Sequence, residues 1–457
     1  MAPNAVAVSA PGKVLLAGGY LVLDRAYTGL VFGLDARIHV IVQDIATRNG
    51  VTLNEIIVTS PQFQDAVWEY GYRLTERDGG IQVTPLRVDA TLKLNRNVFV
   101  ETALGYTLTY IASITTPNVT PASITILADN DYYSTPTSLS AKSGAAPRFH
   151  NLGVPISKAN KTGLGSSAAL VTAFTAALLT YYLPKETIDL STDSGKRKLH
   201  NLAQASHCAA QGKVGSGFDI ASAVYGSCLY KRFSPDILSH HVEPGQPKFA
   251  SQLRHIVDET DEADRWDTEI RKDEVKLPKG LRLVMCDVSC GSQTPGMVKQ
   301  VLAWRKENAD EANAIWQDLQ NANDSLAKEL RALAESDTRQ SYEHLKQGFA
   351  RIRELIRRMS ERSGVPIEPS SQTELIDACE AIPGVVGGVV PGAGGYDAIS
   401  LLVEDNETTL NELAKLLSGW TFKSEASGQP GDGRVSMLDV REEMVGVRAE
   451  DATSYQG

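Results

Sequence analysis

The chain has 457 residues, which at roughly 100–200 residues per domain allows about two to four domains. Hydrophobic residues make up 42% and charged residues 22%, ordinary proportions for a globular protein with a core large enough to need no disulfide or metal staples. Against 45 basic side chains stand 55 acidic ones, and the formal net charge of -10 argues against a protein that binds nucleic acid or an anionic membrane over a broad surface.

The N-terminal stretch through Leu23 is apolar, but it has no basic flank and is interrupted by Pro11 and Lys13. It reads as a buried strand and loop, not a signal peptide. Residues 1 to about 125 look β-rich, with β-branched runs at Val6–Val8, Val14–Leu16, Ile38–Val42 and Ile56–Thr59 between Gly, Pro and Asn. A helix is expected over Asn97–Ile111 and a strand over Ser123–Leu127. Residues 129–150, rich in Asp, Ser, Thr, Pro and Gly, read as a long loop.

Two helices should follow. One begins at Ser166 or Ser167 and ends near Tyr182; the other spans about Lys196–Gln211 and stops at Gly212. Its partner stretch Ala168–Leu183 carries Thr172, Thr175 and Thr180, too short and mixed to span a membrane. Apolar character resumes over Phe218–Tyr230. Residues 233–280 hold Pro235, Pro244, Pro247 and a charge-dense run, and read as a boundary. A strand at Leu281–Val288 would open a second domain. Pro295–Leu333 and Tyr342–Met359 are amphipathic helices by their three- and four-residue spacing. Strands at Val385–Val390, Ala398–Val403 and Val435–Val440, with a helix at Thr408–Leu417, complete an α+β layout with helices on one sheet face. The tail from Val445 looks frayed. Five cysteines (Cys208, Cys228, Cys286, Cys290, Cys379) are odd in number and irregularly spaced, which excludes a disulfide framework and suits a reducing, cytoplasmic setting.

Chemistry concentrates in three glycine-bearing segments. In Lys161-Thr-Gly-Leu-Gly-Ser-Ser-Ala168, Gly163 and Gly165 let the backbone approach an anion. Ser166 and Ser167 then start an apolar helix, where free N–H groups and the positive dipole end point outward. Such a loop can cradle phosphate. It lacks the Walker A spacing and the dinucleotide G-x-G-x-x-G pattern. A glycine turn with a serine cap is the structural alternative. Ala10-Pro-Gly-Lys13 sets a lysine beside a buried strand, either to meet an anion or to snorkel. Val390-Pro-Gly-Ala-Gly-Gly395 has more glycine than a hairpin needs, for close approach to a ligand or for a mobile connection.

Together these segments resemble the GHMP kinase superfamily, whose three motifs match Pro11-Gly12-Lys13, Gly163–Ala168 and Pro391–Gly395 in the same order. Gly212–Ala221, with Ser216-Gly217-Phe218-Asp219, and Gly291–Val298 resemble the phosphomevalonate kinase branch. So does Gly18-Gly19-Tyr20, where mevalonate kinase and galactokinase typically show Gly-Glu-His. The resemblance implies a two-domain GHMP kinase fold: an N-terminal domain like ribosomal protein S5 domain 2 over residues 1–235, a connecting segment over 236–280, and a ferredoxin-like domain over 281–450. It implies ATP and Mg²⁺ as cofactors and (R)-5-phosphomevalonate as substrate, with no nucleic-acid or membrane partner, in a monomer or homodimer.

The implied roles follow position by position. Lys161, Gly163, Leu164, Gly165, Ser166 and Ser167 would bind ATP, and the Ser167 hydroxyl would also reach the metal. Lys13 and Asp219 would be catalytic and paired with each other. Tyr20, Ser216, Gly217, Gln293, Thr294 and Gly394 would line the substrate side. Substrate phosphate calls for further cations among Arg148, Lys161, Lys213, Lys231 and Arg232, with Lys231-Arg232 the first choice. One departure from the pattern matters: mevalonate kinase-type members carry a glutamate metal ligand about three helical turns before the catalytic aspartate. Here no Asp or Glu lies between Asp193 and Asp219, and His207 and Gln211 are the polar groups on that helix. Another GHMP kinase, such as mevalonate kinase, and a non-catalytic ATP-binding sensor are the competing readings.

Overall fold

The computed structural model describes residues 5–45, 55–86, 96–115, 119–134, 147–239, 243–262, 265–289, 296–336, 341–422 and 433–455. Its strands are β1 (Ala5–Ala17), β2 (Thr28–Asp44), β3 (Glu55–Thr59), β4 (Val67–Leu74), β5 (Ile81–Pro85), β6 (Ala122–Ala128), β7 (Cys228–Lys231), β8 (Glu269–Arg271), β9 (Leu281–Ser289), β10 (Val385–Val389), β11 (Ala398–Glu404), β12 (Arg434–Met437), β13 (Glu442–Glu443) and β14 (Arg448–Glu450). The helices are α1 (Val98–Ile114), α2 (Ser166–Tyr182), α3 (Asp193–Gln211), α4 (Phe218–Tyr225), α5 (Asp236–Ser239), α6 (Phe249–Asp258), α7 (Met297–Glu307), α8 (Ala309–Glu335), α9 (Glu343–Ser363), α10 (Ser370–Glu380) and α11 (Glu407–Ser418).

The first sheet has the order β14-β1-β2-β6-β3-β4-β5, with β13 and β7 also paired to β2 and β8 to β7. β3 and β6 are parallel. Apolar α2 packs on β1 and β2 and is flanked by α1, α3 and α4. Its Ala169, Val171, Ala173, Phe174, Ala176 and Ala177 are all fully buried, so α2 is a central helix and not an amphipathic surface one. Asn97 caps α1 by accepting from Val100 N–H, and Thr192 caps α3 by accepting from Gly195 N–H.

The second sheet, β10-β11-β9-β12, is antiparallel and carries helices on both faces, where one covered face is expected. Adjacent residues Gly387 and Gly388 of β10 report this: a Cβ at Gly387 would meet the Phe349 ring of α9, and one at Gly388 would meet Ile376 of α10. Side chains of successive strand residues point to opposite faces, so α9 and α10 lie on opposite sides.

Several expectations change. The runs Val6–Val8 and Val14–Leu16 belong to one strand, because a register shift between Pro11 and Gly12 absorbs the proline that would otherwise end it. Segment 233–280 is not a bare connector: β8 extends the first sheet through β7, and α6 packs on α1 and α3. Helix 295–333 is broken at Asn308. The tail is not frayed through residue 455. β14 pairs with β1, and buried Arg37 donates from Nη2 to Gly446 O at 2.5 Å. β4, β5, α6 and α10 go beyond the elements expected from the sequence; α6 buries Phe249, Ala250, Leu253, Ile256 and Val257 at helical spacing.

Candidate active site

The phosphate-type loop is built on left-handed backbone. Gly163 has φ 80° and Gly165, the N-cap of α2, has φ 82°, a region costly for residues with a Cβ. The loop is seated on the first motif. Lys13 N–H donates to Leu164 O at 2.9 Å, and Lys13 Nζ donates to Gly163 O at 2.9 Å. A Cβ on Gly165 would stand 2.9 Å from Lys13 Cε, so the glycine also makes room for the lysine stem. Desolvation pulls the Lys13 ammonium below its ordinary range, and the Asp219 charge opposes that shift. Lys13 and Asp219 nevertheless form no ion pair within 4.0 Å. The expected pairing is therefore corrected: the ammonium rests on the loop carbonyl and feels the carboxylate at longer range.

Asp219 lies in the first turn of α4, where the helix dipole favours a carboxylate, and its Oδ1 accepts from Ile220 N–H at 2.9 Å. Gly217 precedes it with φ 84°, and a Cβ there would meet Tyr230 Oη at 2.7 Å and Gln204 Oε1 at 2.8 Å. Tyr230 Oη donates to Ser216 O at 2.7 Å. Arg232 donates to Val214 O (3.1 Å), Gly215 O (2.7 Å) and Leu23 O (2.6 Å). The Gly212–Gly217 loop is thus pinned from behind.

The third motif closes the group. A Cβ on Gly19 would stand 2.4 Å from Gly392 O, so the first and third motifs touch backbone to backbone. Tyr20 takes φ 66° and donates its hydroxyl to Ala393 O at 2.8 Å. Tyr20 is 3% exposed and joins two loops. Gly394 and Gly395 lean on Ile367, whose carbonyl accepts from Gly395 N–H at 2.9 Å.

The first motif segment therefore joins the other two: Lys13 seats the Gly163–Gly165 loop, and Gly19 and Tyr20 meet the third loop. A family model described as the GHMP kinases N terminal domain matches residues 144–227. The phosphomevalonate kinase of Gibberella zeae is 52% identical over 99% of this chain and 98% of its own. That of Aspergillus fumigatus is 48% identical over 100% and 99%. The chain belongs to the phosphomevalonate kinase family. Its fold is that of the superfamily: the solved Streptococcus pneumoniae phosphomevalonate kinase, in complex with phosphomevalonate and AMPPNP, covers 96% of this chain and all of its own at TM-score 0.59 and 16% identity.

Within this phosphomevalonate kinase family member, the cations distribute unevenly. Lys231 pairs with Glu269 at 2.9 Å, and Arg232 is taken up by the three carbonyls. The first choice for a phosphate ligand thus already has protein partners at both residues. Arg148 pairs with Asp129 at 3.0 Å and contacts His39. Lys213 stands exposed where the Gly212–Gly217 loop begins. Lys161 lines a cleft with Ser166 and Ser167. Gln293 and Thr294 lie outside the described residues.

That cleft is what sequence reading missed. Phe63, Trp68, Phe99 and Tyr133 wall it beside Ser166 and Ser167. These aromatics come from three separate segments, Phe63 and Trp68 from one and Phe99 and Tyr133 from two others, so no local pattern joins all four. Among the described residues, no group of three or more His, Cys, Asp or Glu side chains could hold a metal. The hard-oxygen donors at the site are Ser167 Oγ and Asp219, whose side chain is 23% exposed. Such a sparse oxygen set fits Mg²⁺, which keeps waters and takes its other ligands from phosphates.

Proposed function

We propose that this protein transfers the γ-phosphoryl group of ATP to the phosphate of (R)-5-phosphomevalonate, giving 5-diphosphomevalonate and ADP in the mevalonate pathway. It is an enzyme, a phosphotransferase. The observation that carries the reading is full-length identity to phosphomevalonate kinases together with three motif segments joined through Lys13, Gly19 and Tyr20.

In this reading the N-terminus of α2 and the Gly163–Ser167 loop hold the ATP phosphates on free backbone N–H groups. The aromatic cleft takes the base, with Lys161 at its wall. Ser167, with phosphates and water, would hold Mg²⁺, which when bound supplies charge neutralisation for the phosphates. Ser216, Gly217 and Gly394 flank the acceptor side, with Gln293 and Thr294 proposed to join them. Lys13 faces the charge that moves from the transferred group to the leaving oxygen. The nucleophile is a phosphate oxygen, already ionised at neutral pH, so no strong base is needed. Asp219 then acts by its field on Lys13 and on the cation. The protein works as a monomer or homodimer in the cytoplasm, a placement supported by four free buried cysteines among the described residues. No described helix is long and apolar enough to cross a membrane.

Isothermal titration tests the site without turnover. ATP with Mg²⁺ should bind, and Gly165→Val should abolish binding, because valine at φ 82° with its Cβ on Lys13 cannot keep the loop. Unchanged ATP affinity in that variant would remove the loop from the nucleotide site.

A further inference from the structure

His207 sits on α3 with its side chain 2% exposed, its ring 5.6 Å from that of Phe99. Packing alone would be satisfied by phenylalanine. Yet both ring nitrogens aim at site residues. Nε2 lies 3.2 Å from Ser167 Oγ, and Nδ1 lies 4.0 Å from Asp219 Oδ2. Gln211 Nε2, one turn along the same helix, stands 3.4 Å from His207 Nε2. With the Gln211 NH₂ and the Ser167 hydroxyl both able to donate, the two contacts fit a ring whose Nε2 offers its lone pair. In that tautomer the ring proton is on Nδ1, the side of the ring nearer the Asp219 carboxylate, which lies 4.0 Å away and beyond hydrogen-bond reach.

We propose that His207 is a positioning residue for phosphoryl transfer: it accepts the Ser167 hydroxyl proton in a hydrogen bond and holds that oxygen's lone pairs toward the cation and phosphates. The inference rests on the kinase reading above. It also accounts for the lack of any Asp or Glu on α3 after Asp193: the polar group near the site acts through the serine and not on the metal directly. Outer partners that orient a ligand in this way typically change affinity or activity by about 10–100-fold.

The experiment compares His207→Phe, His207→Gln, Ser167→Ala and the double variant His207→Phe/Ser167→Ala. Two readouts are taken: kcat and KM for ATP at saturating phosphomevalonate, and calorimetric ATP affinity with and without Mg²⁺ in the absence of acceptor. His207→Phe should lose about 10–100-fold in kcat/KM and in the Mg²⁺-dependent part of ATP affinity. His207→Gln, whose amide oxygen can accept the serine proton, should recover most of it. The double variant should be no worse than Ser167→Ala. Multiplying losses in the double variant, or equal loss in Gln and Phe variants, would overturn the proposal. Should His207→Phe not fold, ¹⁵N-histidine spectra of the wild-type protein decide: a proton on Nδ1 supports the assignment and a proton on Nε2 contradicts it. Wild-type protein that binds ATP with Mg²⁺ but phosphorylates nothing would sink the kinase reading alone, since the affinity readout still tests His207.

Discussion

Lys13 holds its place through its stem as much as its charge. The stem packs under Gly165 and the ammonium donates to Gly163 O at 2.9 Å. Lys13→Met keeps the packing and removes the charge, so kcat should fall about 10²–10³-fold, the typical loss of one preorganised donor, with the melting temperature nearly unchanged. An unaltered kcat would take Lys13 out of the chemistry. Asp219→Asn should retain kcat within about tenfold; a loss of the 10²–10⁴-fold typical of a missing general base would make Asp219 a base after all. At this scale the sequence was informative where chemistry is local. Gly163, Gly165 and Ser167 declare themselves as a glycine pair ahead of an apolar helix start, and Lys13 and Asp219 take their roles from the resemblance to known kinases. Tyr20, His207 and the Phe63–Trp68–Phe99 wall do not, since their roles depend on partners tens to hundreds of residues away.

Among the elements, the Gly212–Gly217 loop depends most on side-chain support. Arg232 satisfies three carbonyls, and Arg25 in turn donates to Arg232 O at 3.0 Å. Arg232→Leu should cost about 1–3 kcal/mol in denaturant unfolding, the usual penalty for leaving buried acceptors unpaired, and should raise KM for the acceptor more than for ATP. A variant with normal stability and a raised KM for ATP alone would contradict this placement. Helices α1, α2 and α3 were legible from caps and from the Gly212 stop. Proline usually ends a strand, so the sequence predicts two short strands where β1 runs unbroken, and only its pairing with β2 reveals the bulge. α6 and β8 were hidden by the charge and proline around them.

The whole molecule is closed by its C-terminal strands. Arg37 is 1% exposed and donates to Ser9 Oγ at 2.6 Å, to Ser9 O at 3.1 Å and to Gly446 O at 2.5 Å. Truncation after Val440 removes β13 and β14 and strips this buried guanidinium of a partner, so the shortened chain should be less stable by about 3–5 kcal/mol, as for a broken buried charge pair. Equal stability would show that the tail only decorates the sheet. Acid stability has a separate source. Burial pushes the His200 imidazole down to about 4, and its Nε2 finds no hydrogen-bond partner among the described residues. Below pH about 6.5 the unfolded chain takes up a proton that the native state refuses, so stability falls on acidification toward pH 4, by about 1.4 kcal/mol per unit from this group. His200→Phe should flatten that slope; an identical slope would assign it elsewhere. The order of the three motifs made the two-unit architecture legible, whereas the return of residues 442–450 to the first sheet carries no sequence signal.

The most direct test of the central claim is ADP release by the purified protein with ATP and Mg²⁺, offered 5-phosphomevalonate, mevalonate or homoserine. Release with 5-phosphomevalonate alone, and its loss in Lys13→Met, is the predicted result. Release with mevalonate in its place would contradict the assignment of a phosphate as the acceptor.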